Sequence, residues 1–272
     1  MPVVRIPWRS AAELMRTTAR YRHILKATTE IELKKKFAGS VLGGAWVVLH
    51  PLLFLAIYLF LFLVVFKVRF PDMSELGYVV YVFAGLVPYL AFMEAMTAGT
   101  AAVKQNMHLV RNVIVPIDLI PVRIVLLVTA TELVGLGVVV LLLAVDGTLS
   151  PWAITLPLVL TLQLAFILGL VCSVAALGVL LPDLGYAINL IMIFLMFISP
   201  IGFKVEALHG AAQGLVWLNP VHYMLEIFRS ALISGHGPHW GAIVAFTLLA
   251  AASLALGAAV FRRFKGVIVD YE

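Results

Sequence analysis

The run WVVLHPLLFLAIYLFLFLVVF, residues 46–66, contains no formally charged side chain and decides the fold class. A helix needs about 20 apolar residues to cross the hydrocarbon core of a bilayer, and this run supplies them. Working outward, the pattern repeats. Residues 78–103 carry only Glu94, and residues 119–145 only Arg123 and Glu132. Residues 152–181 carry no charge, 186–203 form a shorter fifth stretch, and 240–261 a sixth. The expected fold is therefore an all-α integral membrane protein, one transmembrane domain of six helices over residues 1–272.

Composition agrees. A hydrophobic fraction of 63% and a charged fraction of 12% stand far from the roughly 45–50% and ~25% of soluble domains. The formal charge of +5 has no soluble basic domain to sit on, so it does not indicate nucleic-acid binding. It reports orientation instead, because Lys and Arg flanking the spans are retained in the cytoplasm. Residues 1–45 hold Arg5, Arg9, Arg16, Arg20, Arg22, Lys26, Lys34, Lys35 and Lys36. With six crossings and an inside N-terminus, Lys104, Arg111, Arg123, Arg262, Arg263 and Lys265 join them. Only Lys67, Arg69, Lys204 and Arg229 fall outside. Both termini are thus expected in the cytoplasm. No apolar segment followed by a cleavage site opens the chain, so no signal peptide is expected. The sole cysteine, Cys172, sits mid-span and excludes an intrachain disulfide or a cysteine-based zinc cluster.

Residues 11–37 read as a basic amphipathic helix on the membrane surface. Leu14, Tyr21, Ile24, Leu25, Thr28 and Ile31 share one face, with most of the basic residues elsewhere. The small residues at 39–44 either let helices approach closely or bend the chain into the first span. Residues 104–121 have a polar core around Lys104, His108 and Arg111, and are expected to form a short cytoplasmic helix turned back by Pro116. Residues 204–239 are too apolar for a disordered loop and too interrupted to cross. Asn219 and Pro220 look like a helix cap and first position. Val221, Met224, Leu225, Phe228 and Leu232 follow on one face, so a re-entrant or interfacial helix is expected there.

Catalytic signatures are missing from the sequence. There is no Gly-rich loop ending in Lys-Ser/Thr for ATP, no His-Glu-x-x-His for zinc and no Gly-x-Ser-x-Gly elbow. His236 and His239 read as polar loop residues. Glu94 and Glu132 are intramembrane carboxylates, a costly placement that points to a role. Pairing with Arg123 or Lys104, protonation, or lining an aqueous path would each account for them. Aromatic residues recur every four positions on the first span, at Phe54, Tyr58, Phe62 and Phe66, and at helical steps on the second, at Tyr78, Tyr81, Tyr89 and Phe92. Such stripes either pack helices or offer sliding sugar rings many weak stacking contacts.

The run KKKFAGSVLGGAWVVLHPL at 34–52 resembles the basic S-x-L-G-x-x-W…P-L start of the first span in bacterial polysaccharide-export ABC transporter permeases. Residues 106–116, FISPI at 197–201, and LNP at 218–220 with EIFR at 226–229 resemble other segments of that family, so the likeness runs through the whole chain. Departures are Lys36-Phe37 where Arg-Tyr is common, His50 where Asn or Gln is common, and Pro182 where Arg is common.

The resemblance implies a homodimer with two copies of a separate ATPase subunit. ATP and magnesium would be bound by that partner and no cofactor by this chain. It also implies export of a lipid-linked polysaccharide across the bacterial cytoplasmic membrane. On that reading Lys34, Lys35, Lys36, Lys104, His108 and Arg111 couple to the ATPase. Phe54, Tyr58, Phe62, Tyr81, Tyr89 and Phe92 line the substrate passage, and Asn219, Pro220, Glu226 and Arg229 form an outer gate. The competing class is an intramembrane enzyme acting on a lipid or prenyl-linked substrate through Glu94, Glu132 or the two histidines. A passive channel is disfavoured by the lack of a filter sequence.

Overall fold

The computed structural model describes residues 7–36, 38–65, 67, 74–112, 116–233, 235 and 237–270, without the side chains of 108–112, 207 and 267–270. Helices make up nearly all of it, and the described residues contain no strand beyond one isolated bridge between Leu149 and Ile233. In chain order the helices are α1 (Pro7–Arg20), α2 (Arg22–Lys36), α3 (Trp46–Leu59), α4 (Glu75–Asn112) and α5 (Leu119–Asp146). They continue as α6 (Leu156–Leu180), α7 (Leu184–Ile198), α8 (Ala211–Leu218), α9 (Pro220–Leu232) and α10 (Trp240–Asp270).

Five helical stretches are long and apolar enough to cross a membrane: Gly43–Val65, Glu75–Met107, Leu119–Asp146, Pro151–Leu180 and Trp240–Gly266. The stretch expected at 186–203 is shorter. Helix α7 has 15 residues and stops at Ile198, because Pro200 forces Ser199 into the extended conformation that ends a helix.

Two expectations change. The single surface helix at 11–37 is a pair, α1 and α2, bent at Tyr21 while backbone hydrogen bonds of 3.0 Å continue across the bend; Phe37 lies outside the described residues. The short separate helix expected in 104–121 is instead the last turns of α4, which runs unbroken for 38 residues. Lys104, Gln105 and Met107 are good helix formers, and no glycine or proline separates Gly99 from Pro116, so nothing stops propagation until the chain approaches that proline.

The small residues at 39–44 turn the chain. Gly39 and Gly43 adopt positive φ (80° and 49°), and a Cβ at Gly39, Gly43 or Gly44 would meet no atom within 4 Å. Close helix approach occurs elsewhere. A Cβ on Gly178 would strike the Thr100 carbonyl, and one on Gly257 would strike the backbone of Gly169. These contacts seat α6 against α4 and α10 backbone to backbone, the usual solution where apolar burial alone cannot drive helices together in lipid. Ser253 on α10 adds a 2.8 Å hydrogen bond to the Phe166 carbonyl of α6. Helix α9 is enclosed by this core. Asn219 caps it by accepting from Val221 N–H at 3.0 Å, Pro220 begins it, and Val221, Met224, Leu225, Phe228 and Leu232 are buried.

Candidate functional site

At one end of the bundle, α1 and α2 are pinned by their acids. Glu13 of α1 pairs with Arg262 of α10, and Glu32 of α2 lies 3.8 Å from Arg123 of α5. Arg123 also donates to the Asn106 side-chain Oδ1 on α4, while the Asn106 Nδ2 donates to the Ala102 backbone carbonyl at 2.8 Å. Lys265 of α10 pairs with Asp118 just before α5. Partly exposed pairs of this kind contribute about 0.2–1 kcal/mol each; their effect is to set the position of the helix pair under the bundle. Lys34, Lys35 and Lys104 are exposed at this end. The side chains of His108 and Arg111 lie outside the described residues, although the α4 backbone passes through both.

Lys36 behaves differently from its neighbours. It reaches Glu94 of α4 at 2.5 Å, so Glu94 is paired from α2 rather than by Arg123 or Lys104. The pair borders a 490 Å³ cavity between α3, α4 and α5, lined also by Trp46, His50 and Glu132. Glu132 is 4% exposed, and one of its carboxyl oxygens has no hydrogen-bond partner.

The aromatic stripes are mostly interior. Tyr58 and Phe62 stack with ring centroids 4.7 Å apart, against Gly202, where a side chain would collide with both. Tyr78 donates to the Gly202 carbonyl at 2.9 Å, and the Tyr89 hydroxyl donates to the Met192 carbonyl of α7. Phe92 continues through Phe166 to Phe246 with centroids 5.9 and 5.2 Å apart. Tyr58, Phe62, Tyr81, Tyr89 and Phe92 are buried and Phe54 is half-buried; Phe66 lies outside the described residues. Their burial satisfies packing within one chain: Tyr58, Phe62 and Tyr89 are covered by α7 and the segment after it, Tyr81 by Arg229 of α9, and Phe92 by Phe166 of α6.

At the opposite end, α8, α9 and the start of α10 enclose a 700 Å³ cleft. Arg229, expected in an outside loop, is instead 2% exposed in the protein interior. Its guanidinium carbon lies 3.8 Å from the Tyr81 ring centroid, and it donates to the Ile201 carbonyl at 2.7 Å. It fits because Gly85 faces it: a Cβ there would come within 2.9 Å of the guanidinium. Glu226 and His239 line the cleft, and burial holds the His222 imidazole below its ordinary range. Asn219 also donates to the Ser199 hydroxyl at 2.9 Å, joining α9 to the end of α7. His236 lies outside the described residues, and no metal-type cluster occurs among those described. Sequence reasoning missed Glu13, Glu32 and Gly85. The acids had a signal, since Glu13, Glu30 and Glu32 interrupt a basic run; Gly85 had none.

Five long apolar helices over a clamped amphipathic pair define a multi-pass helical membrane protein. Residues 24–233 match the ABC-2 type transporter family, and the chain belongs to it. It is 24% identical over 251 residues, covering 91% of this chain and 95% of the relative, to the O-antigen export system permease protein RfbA of Myxococcus xanthus. A Klebsiella pneumoniae protein of the same name is 26% identical over 78% of this chain and 81% of its own length. The polysialic acid transport protein KpsM of Escherichia coli is 28% identical over 85% of this chain and 89% of its own.

Proposed function

We propose that this chain is the membrane subunit of an ATP-driven exporter of lipid-linked polysaccharide, of O-antigen type, in the bacterial cytoplasmic membrane. The observation that carries the reading is the end-to-end likeness to an O-antigen export permease, over 91% of this chain and 95% of that protein. Relatives named as export and transport proteins leave the intramembrane-enzyme reading without support. Two copies would pair, with α7 as the sixth crossing and both termini inside; the exposed apolar faces of α3 and α7 suit a second copy or lipid. Each copy would carry an ATPase subunit that binds ATP and magnesium, docked on exposed Lys34, Lys35 and Lys104 with His108 and Arg111 beside them. ATPase closure would push on α2 and the end of α4. Displacement of α7 and the segment after it would then uncover Tyr58, Phe62 and Tyr89 to the moving polymer, beside Phe54, Tyr81 and Phe92, with Asn219, Pro220, Glu226 and Arg229 gating its exit.

Deleting the gene tests this. Surface polysaccharide should vanish while its lipid-linked precursor accumulates inside, and a plasmid copy should restore export only where the ATPase is also present. Unchanged surface polysaccharide in the deletion strain would overturn the proposal.

A further inference from the structure

The cleft between α8, α9 and α10 has the composition of a saccharide site. We propose that it binds a sugar unit of the exported chain as that chain leaves the protein; the inference rests on the exporter reading above.

Position comes first. The cleft opens beside Tyr81, whereas the basic end of α4 begins near Lys104, about 35 Å further along the helix at 1.5 Å per residue. A ligand held here is therefore at the end of the bundle remote from α2. At 700 Å³ it is also within the range of small-ligand sites, roughly 300–1,000 Å³.

The lining chemistry narrows the ligand. Trp217 is half exposed and Tyr223 partly so, and both border the cleft, giving apolar ring faces. The Tyr223 hydroxyl donates to the Trp217 carbonyl at 2.9 Å, which ties the two together. His222 fixes them further, its ring 5.2 Å from Trp217 and 5.0 Å from Tyr223. A tied aromatic pair presents area without the entropy cost of ordering a flexible side chain on binding. Around it stand two carboxylates, Glu206 and Glu226, and two cations, Lys204 and Arg229. That balance favours neither a strong anion nor a strong cation. Carboxylates accept from hydroxyls, and ring faces take the C–H surface of a pyranose, so a neutral polyhydroxylated ring satisfies both.

A buried group supports the same ligand. His222 is 5% exposed, and its Nδ1 has no hydrogen-bond partner within the protein. Buried polar atoms are almost always partnered, and an exception calls for an explanation. A sugar hydroxyl entering beside the ring can supply the missing bond. Holding each emerging unit weakly at this end would oppose backsliding between strokes without stalling the polymer.

Cysteine protection tests the site in intact cells. Gly241 lines the cleft, is exposed, and a Cβ there meets nothing within 4 Å, so Gly241→Cys in a Cys172→Ser background places a thiol at the mouth. Ala212→Cys, exposed on α8 and outside the cleft, is the control. The probe is the cells' own surface polysaccharide, freed from lipid by mild acid, with sodium phosphate as a second arm. The polysaccharide should slow labelling of Gly241→Cys by an impermeant maleimide severalfold and leave Ala212→Cys unchanged. Adding Trp217→Ala or Glu226→Gln should remove that protection without lowering the amount of folded protein. No protection, equal protection at both positions, or protection by phosphate alone overturns the saccharide assignment. If export is lost on deletion of the gene yet nothing protects Gly241→Cys, the exporter reading stands and only this inference falls.

Discussion

Arg229 lies beneath Tyr81, its guanidinium carbon 3.8 Å from the ring centroid, and no ion-pair partner for it occurs among the described residues. The cation–π contact returns about 0.5–2 kcal/mol, and one carbonyl acceptor at 2.7 Å adds to it. Burying a charge without a counter-charge costs more than such contacts readily return, and exchanging a buried ion for a well-packed apolar side chain is often neutral or stabilising. Arg229 is therefore kept for something other than stability. Arg229→Met should leave the melting temperature of the purified protein unchanged or raised, while surface polysaccharide falls severalfold. Parallel loss of folded protein and export would make Arg229 a packing residue.

The α4–α6 contact gives a second expectation. Gly178 abuts the Thr100 carbonyl, which is backbone and cannot swing away. Overpacking of this kind costs roughly 1–3 kcal/mol. Gly178→Ala should lower the melting temperature and the yield of folded protein, whereas Gly137→Ala, in the interior of α5 where a Cβ meets nothing within 4 Å, should leave both unchanged or raised. Equal behaviour of the two variants would mean that the helices are not in backbone contact at Gly178.

Why some of this was readable and some was not follows from the range of the interactions. Long apolar runs are local, so α3, α4, α5, α6 and α10 are legible from hydropathy alone. The cap of α9 is equally local, with Asn219, Pro220 and the Val221 N–H adjacent in sequence. The polar run Lys104, Gln105 and Asn106 marks the end of the apolar stretch, which suggests a separate short helix, but nothing in it breaks α4 and two of the three favour helix. Docking of α1 could not be read, since Glu13 and Arg262 are 249 residues apart. The same applies to Arg229, whose buried niche is built by Tyr81, Gly85 and Ile201 from distant parts of the chain.

Separating Lys36 from Lys34 and Lys35 yields a prediction on docking. Lys34 and Lys35 are exposed, and Lys36 is engaged with Glu94. Reversing the first two, Lys34→Glu with Lys35→Glu, should weaken pull-down of the ATPase subunit without moving the melting temperature. Lys36→Glu should instead place two carboxylates face to face and loosen α2, and Lys36→Glu with Glu94→Lys should restore it. Wild-type ATPase capture by the Lys34/Lys35 double variant would remove these residues from the docking surface.

His222 gives a pH expectation. Burial lowers its folded value below the ordinary 6.5, so the folded protein holds the ring neutral where the unfolded chain has begun to bind a proton. The unfolded state then binds more protons on acidification, and stability falls as pH drops through and below 6.5. Above that value the contribution is fully present. Thermal melts from pH 8 down to about pH 5 should show a steeper decline for the wild type than for His222→Asn, which carries no titrating ring. Identical slopes would show that His222 titrates freely.

Tyr58 offers the sharpest separation of passage from packing. It is 2% exposed and stacked on Phe62, and its hydroxyl makes no hydrogen bond of normal geometry although the Gly202 backbone lies beside it. An unpartnered buried hydroxyl costs about 1–3 kcal/mol, so a ring kept only for packing would do better as phenylalanine. Tyr58→Phe preserves the ring and its stack while removing the oxygen. The melting temperature should therefore hold or rise. If the hydroxyl meets sugar when α7 moves aside, surface polysaccharide should fall in the same strain, in excess of any change in folded protein. Tyr58→Ala supplies the contrast, because losing a large buried ring costs about 3–5 kcal/mol and should lower stability and export together. Full export by Tyr58→Phe would leave Tyr58 a packing residue and move the passage away from this face of α3.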